Sequence, residues 1–278
     1  MKILLLGHRG MLGSDILYQL GRKYEVTGLD MDEIDISSPE QCRKAIDENT
    51  PNVVINAAAY TNVDGCEKER DLCFAVNAEA VKNIAESCRG KNIRLVHFST
   101  DYVFDGKGKE PYTEDSPCHP VNVYGASKLA GELYLQELSN NYILIRTAWL
   151  YGKNGKNFVR TILEAARTKN KLEVVDDQIG SPTYTKDIAA AVDLLLERNI
   201  TGIFHITNRG SCSWFQFTEK ILQEAGIAGV KVLPIKSDQL SRPAKRPHFS
   251  VLSMQKFIRV TGKTMQPWQL ALQDYLQK

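Results

Sequence analysis

Apolar positions fall along this chain in two alternating rhythms. Short runs rich in leucine and β-branched residues, KILLLG (2–7), YEVTGLD (24–30), NVVINAA (52–58), IRLVHFST (93–100) and YILIRTAWLY (142–151), are apolar through most of their length. That pattern predicts strands buried on both faces, as in a parallel sheet. Between them the apolar residues recur at helical spacing. Leu12, Ile16, Leu17 and Leu20 mark one helix in MLGSDILYQLGRK. PEQCRKAIDE opens on Pro39 after Ser37 and Ser38, a helix-start pattern, and the stretches 72–89 and 124–138 repeat the period. Strands alternating with helices predict an α/β protein built on a doubly wound parallel sheet.

Past residue 150 the rhythm loosens. NFVRTILEAARTK, TKDIAAAVDLLLER and SWFQFTEKILQEAG read as helices, LEVVDDQ and GIFHITN as strands, with no Gly, Ser or Pro-rich linker and no internal repeat. The expected division is a dinucleotide-binding part over 1–150 and a smaller C-terminal lobe, mainly substrate-binding, over 151–278. Strands around 171–208 are expected to return to the first part. Such a lobe would cover the carboxyl ends of the strands, where doubly wound folds place ligands.

Composition narrows the choice of partners. The 278 residues are 43% hydrophobic, and 35 Lys plus Arg stand against 33 Asp plus Glu for a net charge of +2. Neither nucleic acid nor an acidic membrane surface is indicated by such a balance. The six cysteines (Cys42, Cys66, Cys73, Cys88, Cys118, Cys212) form no C-x-x-C pair and follow no metal-ligand spacing, so reduced thiols and no metal site are expected. The apolar run after Met1 is too short for a signal segment or a membrane span. A cytoplasmic location follows as the expectation. No charge pattern or exposed apolar helix announces an oligomer.

Chemistry enters at LLLGHRGMLGSDIL, where Gly7, Gly10 and Gly13 follow a strand and open a helix. In that context a glycine loop suits the pyrophosphate of a dinucleotide, received by the helix N-terminus, and makes the sheet Rossmann-like. Glycines that merely turn the chain give the same pattern. Asp30 closes the second strand at about the spacing from the loop of a carboxylate that binds an adenosine ribose. Asp30 favours NADH, whereas His8 and Arg9 inside the loop suit the 2′-phosphate of NADPH. A solvated residue in the acidic turn DMDEID is the plainer reading of Asp30.

In VYGASKLAGE, Tyr124 and Lys128 lie four residues apart and share one helix face. A phenol with its ordinary pKa near ~10 is a poor acid at neutral pH, and a nearby ammonium lowers it. Ser99 and Thr100 end the preceding strand, where hydroxyls reach a substrate carbonyl. Tyr and Lys at this spacing also occur as an ordinary exposed pair. Their order after a glycine loop and a hydroxyl-bearing strand end favours a catalytic reading.

The motifs GHRGMLG, NAAAYTNVD, STDYVFDG, VYGASKLAGE, RTAWLYG and DQIGSPTY together resemble the extended short-chain dehydrogenase/reductases and, among them, the dTDP-4-dehydrorhamnose reductases, over nearly the whole chain. The resemblance implies a triad of Thr100, Tyr124 and Lys128. Tyr124 would donate the proton, Lys128 would lower its pKa and bind the nicotinamide ribose, and Thr100 would hydrogen-bond the reacting oxygen or tune the tyrosine. It places Gly10, Met11 and Leu12 at the pyrophosphate, Asp30 at the ribose, Asp35 and Ile36 near adenine, and Ala58, Ala59, Tyr60 and Thr61 along the cofactor. Asp101 and Trp149 would face the sugar nucleotide.

The implied reaction is NADPH- or NADH-dependent reduction of the C4 ketone of dTDP-4-dehydro-L-rhamnose to dTDP-L-rhamnose, feeding polysaccharide biosynthesis. Dehydratases on this scaffold carry an Asp-Glu pair after the threonine; here Tyr102 follows Asp101, which speaks against dehydration. A nucleotide-sugar substrate brings its own pyrophosphate, for which SRPAKRPHFSVL offers Arg242, Lys245 and above all Arg246. That segment reads equally as a solvated basic loop. His97 and His205 read as satisfied core histidines, and Trp214, Phe215 and Phe217 as packing. Two alternatives stand: a reductase of another nucleotide-linked 4-keto sugar, and a non-catalytic NAD(P)-binding regulatory subunit.

Overall fold

A computed structural model describes residues 1–277. Strands β1 (Lys2–Leu6), β2 (Glu25–Leu29), β3 (Val53–Asn56), β4 (Arg94–Thr100) and β5 (Tyr142–Thr147) join the strand Gly202–His205 in one six-stranded sheet. The spatial order is β2, β1, β3, β4, β5, Gly202–His205, and every neighbouring pair is parallel. The chain runs outward from β1 to β2 and then resumes on the other side of β1 with β3. That reversal opens a crevice at the carboxyl ends of β1 and β3, the site such sheets offer a ligand.

Strand residues alternate between two cores, because successive side chains point to opposite faces. Ile3, Leu5, Val53, Ile55, Val96, Ile143 and Ile145 bury one way, against helix α1 (Met11–Leu20) and the helix Thr185–Glu197. Leu4, Leu6, Val54, Leu95 and Leu144 bury the other way, where Ile46 of α2 (Pro39–Asn49) and Ile84 also pack. The doubly wound α/β architecture expected from the alternation is therefore the one observed.

Three departures matter for the site. The helix expected over 72–89 is broken. After α3 (Val63–Lys68) come α4 (Arg70–Phe74), a π-helical turn over Ala75–Glu79 and α5 (Ala80–Cys88). The wide turn carries Asn77, whose amide clamps the backbone of Tyr60 by accepting its N–H at 2.9 Å and donating to its carbonyl at 3.0 Å. The strand expected to run to residue 151 stops at Thr147, because Trp149 takes a left-handed φ of 48°. The chain restarts as Leu150–Tyr151, paired with Thr183–Tyr184. Of the later strands, Gly202–His205 joins the main sheet, whereas Lys171–Val175 pairs with Lys231–Ile235 in a separate ribbon.

That ribbon lies over a third core of Tyr151, Val159, Tyr184, Phe217, Ile221 and Trp268. Helix α6 (Val123–Leu138) runs back along the main sheet and carries the tyrosine-lysine pair. Among the described residues, no helix is long and apolar enough to cross a membrane.

Candidate active site

The glycine loop joins β1 to α1 at the crevice. Gly7 has φ +78°, and a Cβ on Gly13 would lie 2.0 Å from the Gly7 carbonyl oxygen, so a side chain there would push the helix off the loop. Gly10 is the N-cap of α1 and has no side chain to cap it, which leaves the first-turn N–H groups aimed into the crevice without a side-chain acceptor. An anionic pyrophosphate is the partner this cradle fits.

Asp30 is tied to the loop itself: its Oδ2 accepts the Arg9 N–H at 2.8 Å and its Oδ1 accepts the Met31 N–H at 2.9 Å. Arg9 spreads its guanidinium over Asp32 at 2.6 Å and Glu33 at 3.3 Å, so its charge is already balanced. Asp35 is exposed and closes a turn onto Ser37, while Ile36 is buried among Leu6, Val54 and Ile84. Met11 packs against Gly152 across the crevice, and Leu12 belongs to the core below. Beyond β3 the half-buried Ala58 and Ala59 lead to Tyr60, held by Asn77 with its hydroxyl on Glu69, and then to the exposed Thr61.

Helix α6 begins where Asn122 accepts the Gly125 N–H at 2.7 Å. A Cβ on Gly125 would fall 2.1 Å from the Tyr102 carbonyl oxygen, so glycine lets the helix start pressed against the turn after β4. This brings Tyr124 beside the end of β4, where its ring meets Tyr102 edge-on at 5.9 Å. Thr100 is 6% exposed; its hydroxyl donates to Asp101 Oδ1 at 3.0 Å and accepts the Tyr102 N–H at 3.2 Å. Ser99 is buried, and among the described residues its hydroxyl has no partner.

Burial pushes the half-buried Tyr124 hydroxyl above its ordinary value and the neighbouring Asp101 adds to the rise, while the Thr100 hydroxyl opposes it. The expectation that Lys128 draws the phenol down is not met here. Lys128 instead turns toward β4, with Nζ 3.3 Å from His97 Nε2, and its own pKa is lowered to about 8 by burial. A tyrosine so placed keeps its proton at neutral pH, as a proton donor must. Asp101 is 2% exposed, among the described residues its Oδ2 has no hydrogen-bond partner, and burial raises its carboxyl to about 7.

The remaining substrate-side candidates come from the C-terminal half. Trp149 lies flat on Trp214, ring centroids 3.4 Å apart, and both pack against the third core. Non-glycine residues seldom take its left-handed backbone, and such strain gathers at functional positions. Arg246 is not a free basic side chain: it forks onto Asp64 of α3 at 2.5 and 2.8 Å and donates to the Ala244 carbonyl at 2.6 Å. Tyr102 adjoins it, so Arg246 and Tyr124 share Tyr102 as a neighbour.

Sequence reasoning did not single out Asn56, Asp64, Asn77 or Asn122, and it read His97 as a core residue. Asp64 stands in the quoted NAAAYTNVD motif, and its acidic character was the one signal available. His205 does satisfy itself in the core. Its Nδ1 meets the Tyr112 carbonyl at 3.0 Å, and it lies 3.4 Å from Arg146, which is buried on Glu132.

The whole chain, residues 1–278, matches the family described as RmlD substrate binding domain. The spore coat polysaccharide biosynthesis protein SpsK of Bacillus subtilis is 40% identical over all of this chain and 97% of its own. Among solved structures, a dTDP-4-dehydrorhamnose reductase from Clostridium acetobutylicum superposes with a TM-score of 0.96 at 42% identity, covering 99% of this chain and 98% of that one. The same enzyme from Bacillus anthracis, solved in complex with NADP, gives 0.95 at 38% over 99% and 98%.

Proposed function

The chain belongs to the RmlD substrate binding domain family, and from that premise we propose that it is an NAD(P)H-dependent oxidoreductase that reduces the C4 ketone of dTDP-4-dehydro-L-rhamnose to dTDP-L-rhamnose. One observation carries the proposal: a tyrosine beside a buried threonine and aspartate at the carboxyl end of β4, in the sheet whose first strand leads into a glycine cradle that fits a dinucleotide.

The loop of Gly7, Gly10 and Gly13 with the first turn of α1 would hold the cofactor pyrophosphate, Asp30 the adenosine ribose, and Ala58 to Thr61 the stretch toward the nicotinamide. The bound cofactor supplies the hydride. The chain itself supplies a proton and the geometry. Thr100 holds the ketone oxygen near Tyr124, and Tyr124 gives up its phenolic proton as negative charge develops on that oxygen. Lys128, one helical turn below, would bind the nicotinamide ribose while its Nζ rests against His97 Nε2. Asp101 and the Trp149 face would orient the sugar.

Arg246 suits the substrate diphosphate by chemistry, bidentate and half-enclosed, and there it would exchange or share its contact with Asp64. Reduction needs one acid and a bound ketone. Elimination of water would need a second carboxylate next to Asp101, where Tyr102 stands.

The test is oxidation of NADPH and of NADH with dTDP-4-dehydro-L-rhamnose, followed by product identification, beside a panel of other nucleotide-linked 4-keto sugars. Formation of dTDP-L-rhamnose at the highest kcat/KM in the panel is the expected result. Turnover of a different sugar alone would reassign the substrate. Cofactor binding without turnover of any would make the protein regulatory.

A further inference from the structure

Behind the tyrosine-lysine helix lies a hydrogen-bond chain with a fixed direction. The Ala58 N–H donates to Asn56 Oδ1 at 3.1 Å. A backbone N–H can only donate, so the oxygen of the Asn56 amide must face it and the amide nitrogen must face the other way. That nitrogen lies 3.3 Å from His97 Nδ1, which therefore accepts. A neutral imidazole that accepts at Nδ1 carries its hydrogen on Nε2, and Nε2 lies 3.3 Å from Lys128 Nζ. His97 is 1% exposed and Lys128 2%, so the contact is closed to bulk solvent.

Every link is satisfied when the lysine is an amine that accepts the imidazole N–H. With an ammonium, two donors face each other. Turning the imidazole over moves the conflict to Asn56, and turning Asn56 over moves it to the Ala58 N–H. Burial holds His97 neutral, which leaves its ring no cationic alternative.

We propose that His97 is a positioning residue: locked by Asn56 as the Nε2–H tautomer, it points a donor at Lys128 Nζ and so makes Lys128 a lysine that releases its proton readily. The proposal rests on the reading of Tyr124 and Lys128 as the catalytic pair. Its consequence there is that the helix carries an ammonium able to surrender a proton near neutrality, where an ordinary lysine would hold one. Opposing groups set the balance. On α6 the Glu132 carboxylate one turn on favours the ammonium, though Arg146 of β5 already engages it at 2.7 Å, and the Cys73 thiol of α4 acts in the same sense. Tyr124 shares the helix and stays neutral.

The experiment is nitrogen-15 NMR of the full protein labelled in histidine and lysine, titrated from about pH 6 to about pH 9. The expected wild-type spectrum shows His97 neutral and protonated on Nε2 throughout; an Nδ1–H tautomer or a charged ring would overturn the proposal. Asn56→Asp then reverses the chain, since a carboxylate accepts from both Ala58 N–H and His97 Nδ1. The tautomer should invert, and the Lys128 midpoint should rise by about one unit, a tenfold gain in proton affinity. The alkaline limb of the kcat profile should follow it. An inverted tautomer with an unmoved Lys128 midpoint would also overturn the proposal. Because the NMR readouts need no turnover, failure of the enzymatic assignment and failure of this inference are separable.

Discussion

At the scale of single residues the site depends on groups whose burial sets their proton affinity. Asp101 is the sharpest case. Its folded pKa of about 7 lies above the ordinary 3.8, so the folded protein retains a proton that the unfolded chain has released over that interval. Stability therefore falls as pH rises from about 4 to about 7, and above that window the full penalty of a buried carboxylate is present. Asp101→Asn keeps the acceptor for Thr100 and removes the charge. Chemical denaturation should find the variant equal to wild type near pH 4 and more stable by on the order of a few kcal/mol at pH 8. A gap that does not change with pH would show that Asp101 is not desolvated. Tyr124, Lys128 and Thr100 were legible in the sequence because a fixed spacing and a strand end announced them. His97 was legible only as apolar-strand filling. Its role comes from Asn56 and Lys128, which are 41 and 31 positions away, and no local pattern encodes such a meeting.

At the scale of elements, the start of α6 aims the tyrosine. Asn122 caps that helix through Gly125 and, with its amide nitrogen, donates to the Lys245 carbonyl at 2.7 Å, so one side chain fixes both the helix bearing Tyr124 and the segment bearing Arg246. Asn122→Ala should lower unfolding free energy by about 1 kcal/mol for the cap. It should also raise KM for the sugar nucleotide with little change in KM for the cofactor. Equal effects on both constants would contradict the link to the second segment. Strands and helices of the first half followed from apolar rhythm, since a parallel sheet buried on both faces writes itself as short apolar runs. What rhythm could not show is where elements break. The π-helical turn at Ala75–Glu79 places Asn77 on the Tyr60 backbone, and the stop at Trp149 is a single backbone angle. Lys171–Val175 reads as a strand by composition, but its partner is chosen by the third core.

At the scale of the molecule, the Asp64–Arg246 pair bridges α3 and the C-terminal segment. The carboxylate is 38% exposed and the guanidinium 9%. Asp64→Asn should destabilise by on the order of 1 to 3 kcal/mol, less than a fully enclosed pair, because water reaches the acidic partner. Arg246→Met should raise KM for the sugar nucleotide by about tenfold or more while the NADPH dissociation constant stays within a factor of two or so, measured by cofactor fluorescence. A matching loss in cofactor affinity would mean that Arg246 only holds α3 to the C-terminal segment. The arginine stood out in the sequence by its basic, proline-flanked segment. Its acidic partner was not, since Asp64 lies 182 positions earlier and only the closed fold brings the two together.

The proposed reduction turns on one proton, that of the Tyr124 hydroxyl. Tyr124→Phe removes that hydroxyl while keeping the ring against Tyr102, and single-turnover reduction of dTDP-4-dehydro-L-rhamnose by bound NADPH measures the effect directly. The expected result is a loss of about 10²- to 10⁴-fold in rate with cofactor affinity intact. A variant that reduces the ketone within a few-fold of the wild-type rate would contradict the assignment of Tyr124 as proton donor.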